Sequence, residues 1–315
     1  MTQTYTVTSR TDDRGDIARI RLTPQDGQIA PFTAGGHIDL YLPDVDMWRQ
    51  YSLCSDPVET EFYEIGVLKD AHSRGGSTAV HRLAVKGASF TIEGPRNHFE
   101  LDETASHTVL LGGGIGVTPM IAMAKRLHAL GKDFVLHYCT RSEDVTAFKG
   151  DLDACDFADK VIYHFDDQDG AQRLDPARDL PAPHADTHLY VCGPQGFMDW
   201  VISTAKEAGH TTQNVHLEYF SANVDVSGDT FEVNCAQSGI SITIGPDDTI
   251  AKALAKEGIK IDVKCEEGVC GTCITDVLDG QIDHRDQFLT DEEREDGDQM
   301  CVCCSRGKGK LVLDI

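Results

Sequence analysis

The sequence predicts a multidomain α/β and β chain in three parts: an antiparallel β-barrel, a Rossmann-like α/β domain and a small C-terminal β-grasp domain. Three observations predict it. Short alternating strands broken by Gly, Pro and Asp turns run from Tyr5 to about Leu101, apolar strands alternate with helices from Thr108 to about Phe220, and a compact cysteine-rich segment runs from Phe231 to Ile315. At 315 residues the chain is too long for one typical core, and with 40% hydrophobic residues it has ample material for several. The expected divisions are 1–103, 104–222 and 231–315, with a short polar linker at 223–230.

In the first domain the expected strands are YTVTS, IARIRLT, HIDLYLP, YEIGVLK and SFTIEGP. Arg49-Gln50-Tyr51-Ser52 follows the strand ending near Leu42, and Arg74-Gly75-Gly76-Ser77 opens a helix expected to run to Leu83, with Ser77 as its cap. Each motif is generic alone. Together they suit flavin mononucleotide (FMN). The Arg49 guanidinium can pair with a phosphate, and the free N–H groups and positive dipole end of the helix attract the same anion. Tyr51 offers an aromatic surface, and the Ser52 hydroxyl offers a hydrogen bond to the reactive edge of the isoalloxazine.

The middle domain opens with VLLGGGIGVTPMIAMAKRLHAL: an apolar strand, a turn at Gly112-Gly113-Gly114-Ile115-Gly116 and an amphipathic helix from about Thr118-Pro119. FVLHYCT and HLYVCG are further buried strands. Glycines at a helix N-terminus let the backbone approach an anion, so the turn reads as a phosphate cradle. It lacks the dinucleotide fingerprint's spacing and a Walker lysine, which leaves a structural turn as the alternative. A second motif, Cys192-Gly193-Pro194-Gln195-Gly196-Phe197-Met198, stands at another strand end entering a helix. After FVLHYC, Arg141 could meet a 2′-phosphate whereas Glu143 and Asp144 would repel one, which favours NADH over NADPH.

In the last domain FEVNCAQSG and ISITIGP read as a hairpin, DDTIAKALAKEG as a capped helix, and ITDVLDG and KLVLDI as strands. Cys265, Cys270 and Cys273 are spaced C-x4-C-x2-C, and Cys303 follows after a loop of twenty-nine residues, the plant-type [2Fe–2S] spacing. Gly268 and Gly271 fall between these ligands, where side chains would keep the backbone from wrapping a cluster and aiming N–H groups at its sulfurs. The alternative is zinc, which usually takes its ligands as two short pairs. Loop length favours Cys303 as the fourth ligand, with Cys301 and Cys304 beside it in CVCCS. The run TDEEREDGD reads as a solvated acidic surface, and His284, Arg285 and Asp286 in DHRD carry no assignable role.

No segment approaches the apolar length of a membrane span, and MTQTYTVTSRTDDRGD lacks the basic start and apolar core of a signal peptide, so a soluble cytoplasmic protein is expected. Eleven cysteines, odd in number and partly clustered, accord with a reducing compartment. The net charge of −24 argues against nucleic acid or an anionic membrane surface as partner and favours a docking partner with a basic patch; the alternative is that the acidity only maintains solubility or reflects a saline cytoplasm.

The RQYS strand, the GGSTAVH helix start and the pair GGGIGVTP and CGPQGFM make the first two thirds similar to the ferredoxin–NADP reductase superfamily, and to its FMN-using branch. Phe231–Ile315 resembles a plant-type ferredoxin domain; closely similar reductases read C-V-S-R where this chain has Cys303, Cys304, Ser305 and Arg306. In domain order the chain looks like the phthalate dioxygenase reductase family, the reductase components of two-component Rieske oxygenases, which include vanillate demethylase and carnitine monooxygenase reductases.

The resemblance implies FMN on Arg49, Gln50, Tyr51, Ser52, Arg74, Gly75, Gly76 and Ser77, and NADH on Gly114, Gly116, Thr118, Cys192, Gly193 and Pro194. It places Cys192 beside the hydride-transfer locus, Glu218 as an acid there and Phe220 as a ring over the flavin face; with Ser52 these are the expected catalytic residues. It further implies electrons passing from NADH through FMN to the cluster and then singly to a terminal oxygenase, the flavin bridging a two-electron donor and a one-electron acceptor. The free protein is expected to be a monomer. A reductase for a diiron monooxygenase or a haem protein is one alternative, although those often carry the ferredoxin domain first, and a non-enzymatic ferredoxin-type carrier is another. Glu266 and Glu267, inside the cluster loop, are expected either to meet a basic partner surface or only to solvate the loop.

Overall fold

Period-two burial builds the first sheet. In the computed structural model, which describes every residue except Met1, His72 and Asn223 and the side chain of Ala171, Ile20 and Leu22 of the second strand point inward while Arg21 between them is exposed. Strands β1 (Thr2–Asp13), β2 (Ile17–Pro24), β3 (His37–Leu42), β4 (Met47–Ser52), β5 (Tyr63–Leu68) and β6 (Ser89–Arg96) pair antiparallel in the order β4-β3-β6-β1-β2-β5. A bridge between Leu53 and Ile65 joins the end of β4 to β5 and closes the sheet into a barrel. Val7, Ile38, Leu40 and Ile65 fill it, and helix α1 (Gly76–Leu83) buries Ala79 and Val80 against the same core.

A continuous apolar run marks a strand covered on both faces. In β7 (His107–Gly113), Val109, Leu110 and Leu111 are wholly buried. With β8 (Asp133–Thr140), β9 (Val161–Phe165), β10 (Thr187–Cys192) and β11 (Val215–Glu218) it forms a parallel sheet in the order β11-β10-β7-β8-β9. Helix α2 (Val117–Ala129) starts at Val117, close to the expected Thr118-Pro119, and a single 3-10 turn over Gly114–Gly116 precedes it. The short helices α3 (Lys149–Asp153) and α4 (Pro176–Asp179) and the longer α5 (Gln195–Ala208) complete this layer. Because all five strands run the same way, the glycine turn after β7, the CGP turn after β10 and the end of β11 fall on one edge of the sheet.

Barrel and parallel sheet belong to one compact unit, Met1–Glu218. The turn between β1 and β2 is braced against the segment after β8. Arg19 pairs with Glu64 at 2.7 Å and with Asp151, and its guanidinium lies 4.7 Å from the centre of the Phe148 ring. Phe148 adopts φ +59°, and its N–H donates to Asp13 Oδ2 at 2.9 Å. Arg14 donates to the carbonyl of Glu143 at 3.2 Å.

The second unit is Tyr219–Ile315. Its sheet runs β13-β12-β18-β14-β16, built from β12 (Phe231–Cys235), β13 (Ile240–Ile244), β14 (Ile274–Asp279), β16 (Gln299–Cys301) and β18 (Lys310–Leu313). β12 pairs with β13 as the expected hairpin and runs parallel to β18, and α6 (Ile250–Lys256), capped by the Thr249 hydroxyl on the Lys252 N–H, packs on the sheet: this is the β-grasp arrangement. A two-stranded ribbon, β15 (Ile282–Asp283) with β17 (Arg306–Gly307), lies outside it. The acidic run forms α7 (Asp291–Asp296), closed by a capping box between Thr290 and Glu293. Among the described residues no helix is long and apolar enough to cross a membrane.

Candidate functional site

The two motifs of the barrel meet at the start of α1. Arg49 crosses Gly76 so closely that a Cβ there would lie 2.7 Å from the guanidinium Nε, so a side chain at this position would displace the arginine. Arg49 donates to the Trp48 carbonyl at 2.8 Å, and among the described residues no carboxylate pairs with it. A cation uncompensated by carboxylate beside a helix start is the donor set a phosphate requires. The expectation that Ser77 caps this helix is not met. The cap is Gly75 at φ +104°, a left-handed conformation that glycine adopts without strain, and Ser77 is the second helical residue. Ser73, which the sequence did not single out, accepts from the N–H groups of Gly75 at 3.1 Å and Ser77 at 3.3 Å. Arg74 is exposed next to it. Gln50 points away from Arg49 and Tyr51, as alternation along β4 demands, and its amide meets His37 at 3.1 Å and Asp39 at 3.0 Å.

Three of the expected catalytic residues converge where the barrel meets the edge of the parallel sheet. The Ser52 hydroxyl donates to Glu218 Oε2 at 3.2 Å, and Glu218 stands directly beside Cys192 in the register of β10 and β11. Glu218 is a partly accessible side chain surrounded by dense protein, and burial pushes its carboxyl up to about 8 against a weaker lowering from Ser52. Burial, with the Glu218 charge adding to it, likewise holds the Cys192 thiol well above its ordinary range, so it sits in the site as a neutral group. Phe220 falls in the second unit, 38% exposed.

The nucleotide turns lie back to back. A Cβ on Gly116 would fall 2.3 Å from the Cys192 carbonyl oxygen, a contact that only glycine permits. The fully buried Thr118 donates to the Ile115 carbonyl at 2.9 Å and closes the first turn. Gly114, at φ +54°, has open space where its side chain would be, as a cradle for a bound group needs. Gly193 and Pro194 lead into α5, and the Phe197 ring packs over Gly113 and Gly193. Sequence reasoning placed Phe197 in its motif without giving it a role.

In the second unit the thiols touch in a chain. Cys265 contacts Cys270 and Cys303, and Cys273 contacts Cys303 and Cys301. Those contacts pull the Cys265 and Cys273 thiols below their ordinary range, and the Glu267 N–H points at Cys265 Sγ from 3.4 Å. Of the three cysteines in CVCCS, Cys303 alone reaches both Cys265 and Cys273; Cys304 turns to the Cys301 carbonyl at 3.7 Å. Gly268 and Gly271 both take φ +68°, and a Cβ on them would strike Cys304 Sγ at 2.6 Å and the Phe288 ring at 2.3 Å. Among the described residues no three or more His, Cys, Asp or Glu side chains converge on one position as the ligands of a single metal ion would, and the thiols stand in a chain instead. Four thiols linked through Cys303, in a loop whose N–H groups turn inward, fit a sulfur-bridged pair of irons. DHRD now has a place: Asp286, wholly buried, accepts from Ser305 Oγ at 3.2 Å and from the Leu289 N–H at 2.9 Å, and the Gln287 N–H donates to the Gly268 carbonyl at 2.8 Å.

Comparison with known proteins agrees with this geometry. Residues 233–308 match the 2Fe-2S iron-sulfur cluster binding domain, and residues 110–202 match the oxidoreductase NAD-binding domain. A vanillate O-demethylase oxidoreductase of Pseudomonas sp. (strain HR199 / DSM 7063) is 47% identical, covering 95% of this chain and 98% of its own. Among solved structures, an intact type IV self-sufficient cytochrome P450 monooxygenase superposes with a TM-score of 0.87 at 36% identity, over 100% of this chain and 41% of that one. Phthalate dioxygenase reductase, described as a modular structure for electron transfer from pyridine nucleotides to [2Fe-2S], superposes with a TM-score of 0.77 at 34% identity, over 100% of this chain and 98% of its own. With relatives this close along nearly its whole length, the chain belongs to the phthalate dioxygenase reductase family, oxidoreductases that use a nicotinamide, FMN and a [2Fe–2S] cluster.

Proposed function

We propose that this protein is the NADH-dependent reductase component of a Rieske-type oxygenase system, passing electrons singly from its cluster to the terminal oxygenase. The observation that carries the reading is the meeting of Ser52, Glu218 and Cys192 at the edge of a nucleotide-binding sheet, in a chain that also holds a four-thiol loop. Bound FMN supplies the conversion from electron pairs to single electrons, and the cluster supplies a one-electron outlet. Arg49, Arg74 and the Gly75-Gly76-Ser77 turn bind the flavin phosphate, and Tyr51 lies along the ring. Ser52 orients the reactive edge while Glu218 holds a proton at its carboxyl within reach of the Ser52 hydroxyl. Gly114, Gly116, Thr118, Gly193 and Pro194 bind the dinucleotide, and the neutral Cys192 packs beside the nicotinamide without competing as a base. Phe220 would supply the family's aromatic ring for the flavin, and Cys265, Cys270, Cys273 and Cys303 would hold the irons.

The division into 1–103, 104–222, 223–230 and 231–315, a cytoplasmic location and a monomeric free state belong to the same proposal; eleven cysteines, odd in number and partly clustered, accord with a reducing compartment. A haem acceptor is the second reading, favoured by the likeness to the self-sufficient P450. The deciding experiment reduces the holoprotein with NADH and presents it to a purified Rieske oxygenase component and, separately, to a P450 haem domain. Cluster oxidation by the first and not the second is expected. Exclusive transfer to the haem would replace the reading, and a protein releasing FAD rather than FMN would overturn the cofactor assignment.

A further inference from the structure

We infer that Asp286 is a positioning residue for the cluster: its carboxyl pins residues 286–289 as a cover over the loop of Cys265, Cys270 and Cys273, and the cover keeps water from the ligating sulfurs and slows the loss of iron. This rests on the reading of that loop as the cluster site. Gly268 and Gly271, both left-handed, leave two bare places on the loop. The cover fills them. A Cβ on Gly268 would fall 2.8 Å from the Asp286 Cα, and one on Gly271 would lie 2.3 to 2.7 Å from three carbons of the Phe288 ring. Between these two contacts the Gln287 N–H donates to the Gly268 carbonyl at 2.8 Å.

Residues 286–289 lie between β15 and α7 in no regular element, so their buried N–H groups need acceptors from elsewhere. Asp286, whose side chain is wholly buried, supplies them. Its Oδ2 accepts from the Phe288 N–H at 3.2 Å and the Leu289 N–H at 2.9 Å. Its Oδ1 accepts from Ser305 Oγ at 3.2 Å, and Ser305 is the second residue after Cys303. One carboxyl therefore joins the turn of the cover to the chain beside the fourth cysteine, while Gln287 joins the cover to the loop that carries the other three. Arg294 of α7 fastens the same residue from outside, donating to the Asp286 carbonyl at 2.6 Å. Around the carboxyl, His284 Nδ1 at 3.6 Å and Arg294 Nη2 at 3.8 Å stand beyond hydrogen-bond reach. Removing the carboxyl leaves two N–H groups and a hydroxyl without their acceptor in the interior, and the cover loses its hold. Groups in this second layer fix the orientation of metal ligands and control the access of solvent to them.

The test uses full-length holoprotein. Iron release to bathophenanthroline disulfonate under native conditions reports the cover, and the EPR spectrum of the dithionite-reduced protein reports the cluster. Asp286→Ala should release iron about tenfold faster or more, with an altered EPR spectrum. Asp286→Asn keeps an oxygen for the two N–H groups and an amide that the Ser305 hydroxyl can accept from, so its release should stay within about twofold of wild type. Val233→Ala opens a cavity in the core of the same β-grasp sheet and should lower the melting temperature without the tenfold release. Wild-type release and spectrum in Asp286→Ala overturn the inference. So does an Asn variant as leaky as the Ala variant, or a Val233→Ala protein that loses iron as fast. Where Asp286→Ala holds no cluster, Phe288→Ala decides: faster release supports the cover, and wild-type release overturns it. Wild-type protein without two irons per chain would instead sink the reading of the loop as a cluster site.

Discussion

A single carboxyl carries the pH behaviour expected at the hydride site. Glu218 is raised to about 8 by burial, so between its unfolded value near 4.5 and 8 the folded chain binds a proton that the unfolded chain has lost. Its burial therefore lowers stability progressively as pH rises through that window and no further above it. Glu218→Gln should unfold at a higher temperature than wild type at pH 9 and at about the same temperature at pH 4. The rate of flavin reduction by NADH should fall through pH 8 in wild type and lose that inflection in the variant; an unchanged profile would remove the proton from the mechanism. Gly116 is the second residue on which the site depends. Gly116→Ala drives a Cβ against the Cys192 carbonyl, and overpacking of this kind costs about 1–3 kcal/mol. Denaturant unfolding should show the loss, and NADH titration should show affinity weakened by about tenfold or more with FMN retained. Arg49 and Ser52 were legible because each sits in a short motif whose chemistry suggests a partner, whereas Cys192 and Glu218 were placed only by the family resemblance. Ser73 and Phe197 were not legible, since an ordinary serine in a turn and an aromatic in a helix acquire their roles only when the chain places them against backbone N–H groups and glycines.

At the scale of elements, the cluster loop separates three neighbouring cysteines by backbone direction. Cys303 faces Cys265 and Cys273 while Cys304 faces Gly268 and the Cys301 carbonyl. Cys303→Ser should lose iron, and Cys304→Ser should retain two irons per chain; the reverse result by iron analysis would transfer the ligand role. Loop length pointed to the same residue, but the placing of Cys304 against the loop glycine was beyond sequence reach. β2, with one buried face, was legible by alternation, as was β3 from Ile38, Leu40 and Leu42 although its other face is largely buried too, and β7 by its apolar run. The β9 and β11 edge strands were not named, being short and only partly buried, so their pattern is weak. Helix α7 carries its own signal in Thr290 and Glu293, overlooked because its charge drew it toward solvated coil.

At the scale of the molecule, the order of barrel, parallel sheet and β-grasp unit was the most legible feature, because a period-two pattern, an alternation of apolar strands with helices and a cysteine-rich segment follow one another along the chain. The linker was the least legible: polar composition reports solvation, and Arg285 and Arg306, which donate to its carbonyls at Asp225, Val226, Ser227 and Asp229, lie far along the sequence. The −24 charge bears on encounter with the oxygenase. Glu266 is exposed and Glu267 half-buried in the cluster loop. Reversing both to lysine should slow reduction of the oxygenase and leave flavin reduction unchanged, and the wild-type rate should fall as salt brings the Debye length to about 8 Å. A rate indifferent to salt and to both reversals would leave the acidity as a solubility feature. The brace at the β1–β2 turn has a consequence for recombination. Asp13, Arg14 and Arg19 are encoded at the start of the chain yet hold Phe148, Glu143 and Asp151, which follow the strand that ends near the nucleotide site. A chimera that exchanged only residues after the barrel would present these three to a foreign loop, so the heritable module is the barrel hairpin together with the nucleotide sheet, and a crossover between them would cut through a working joint.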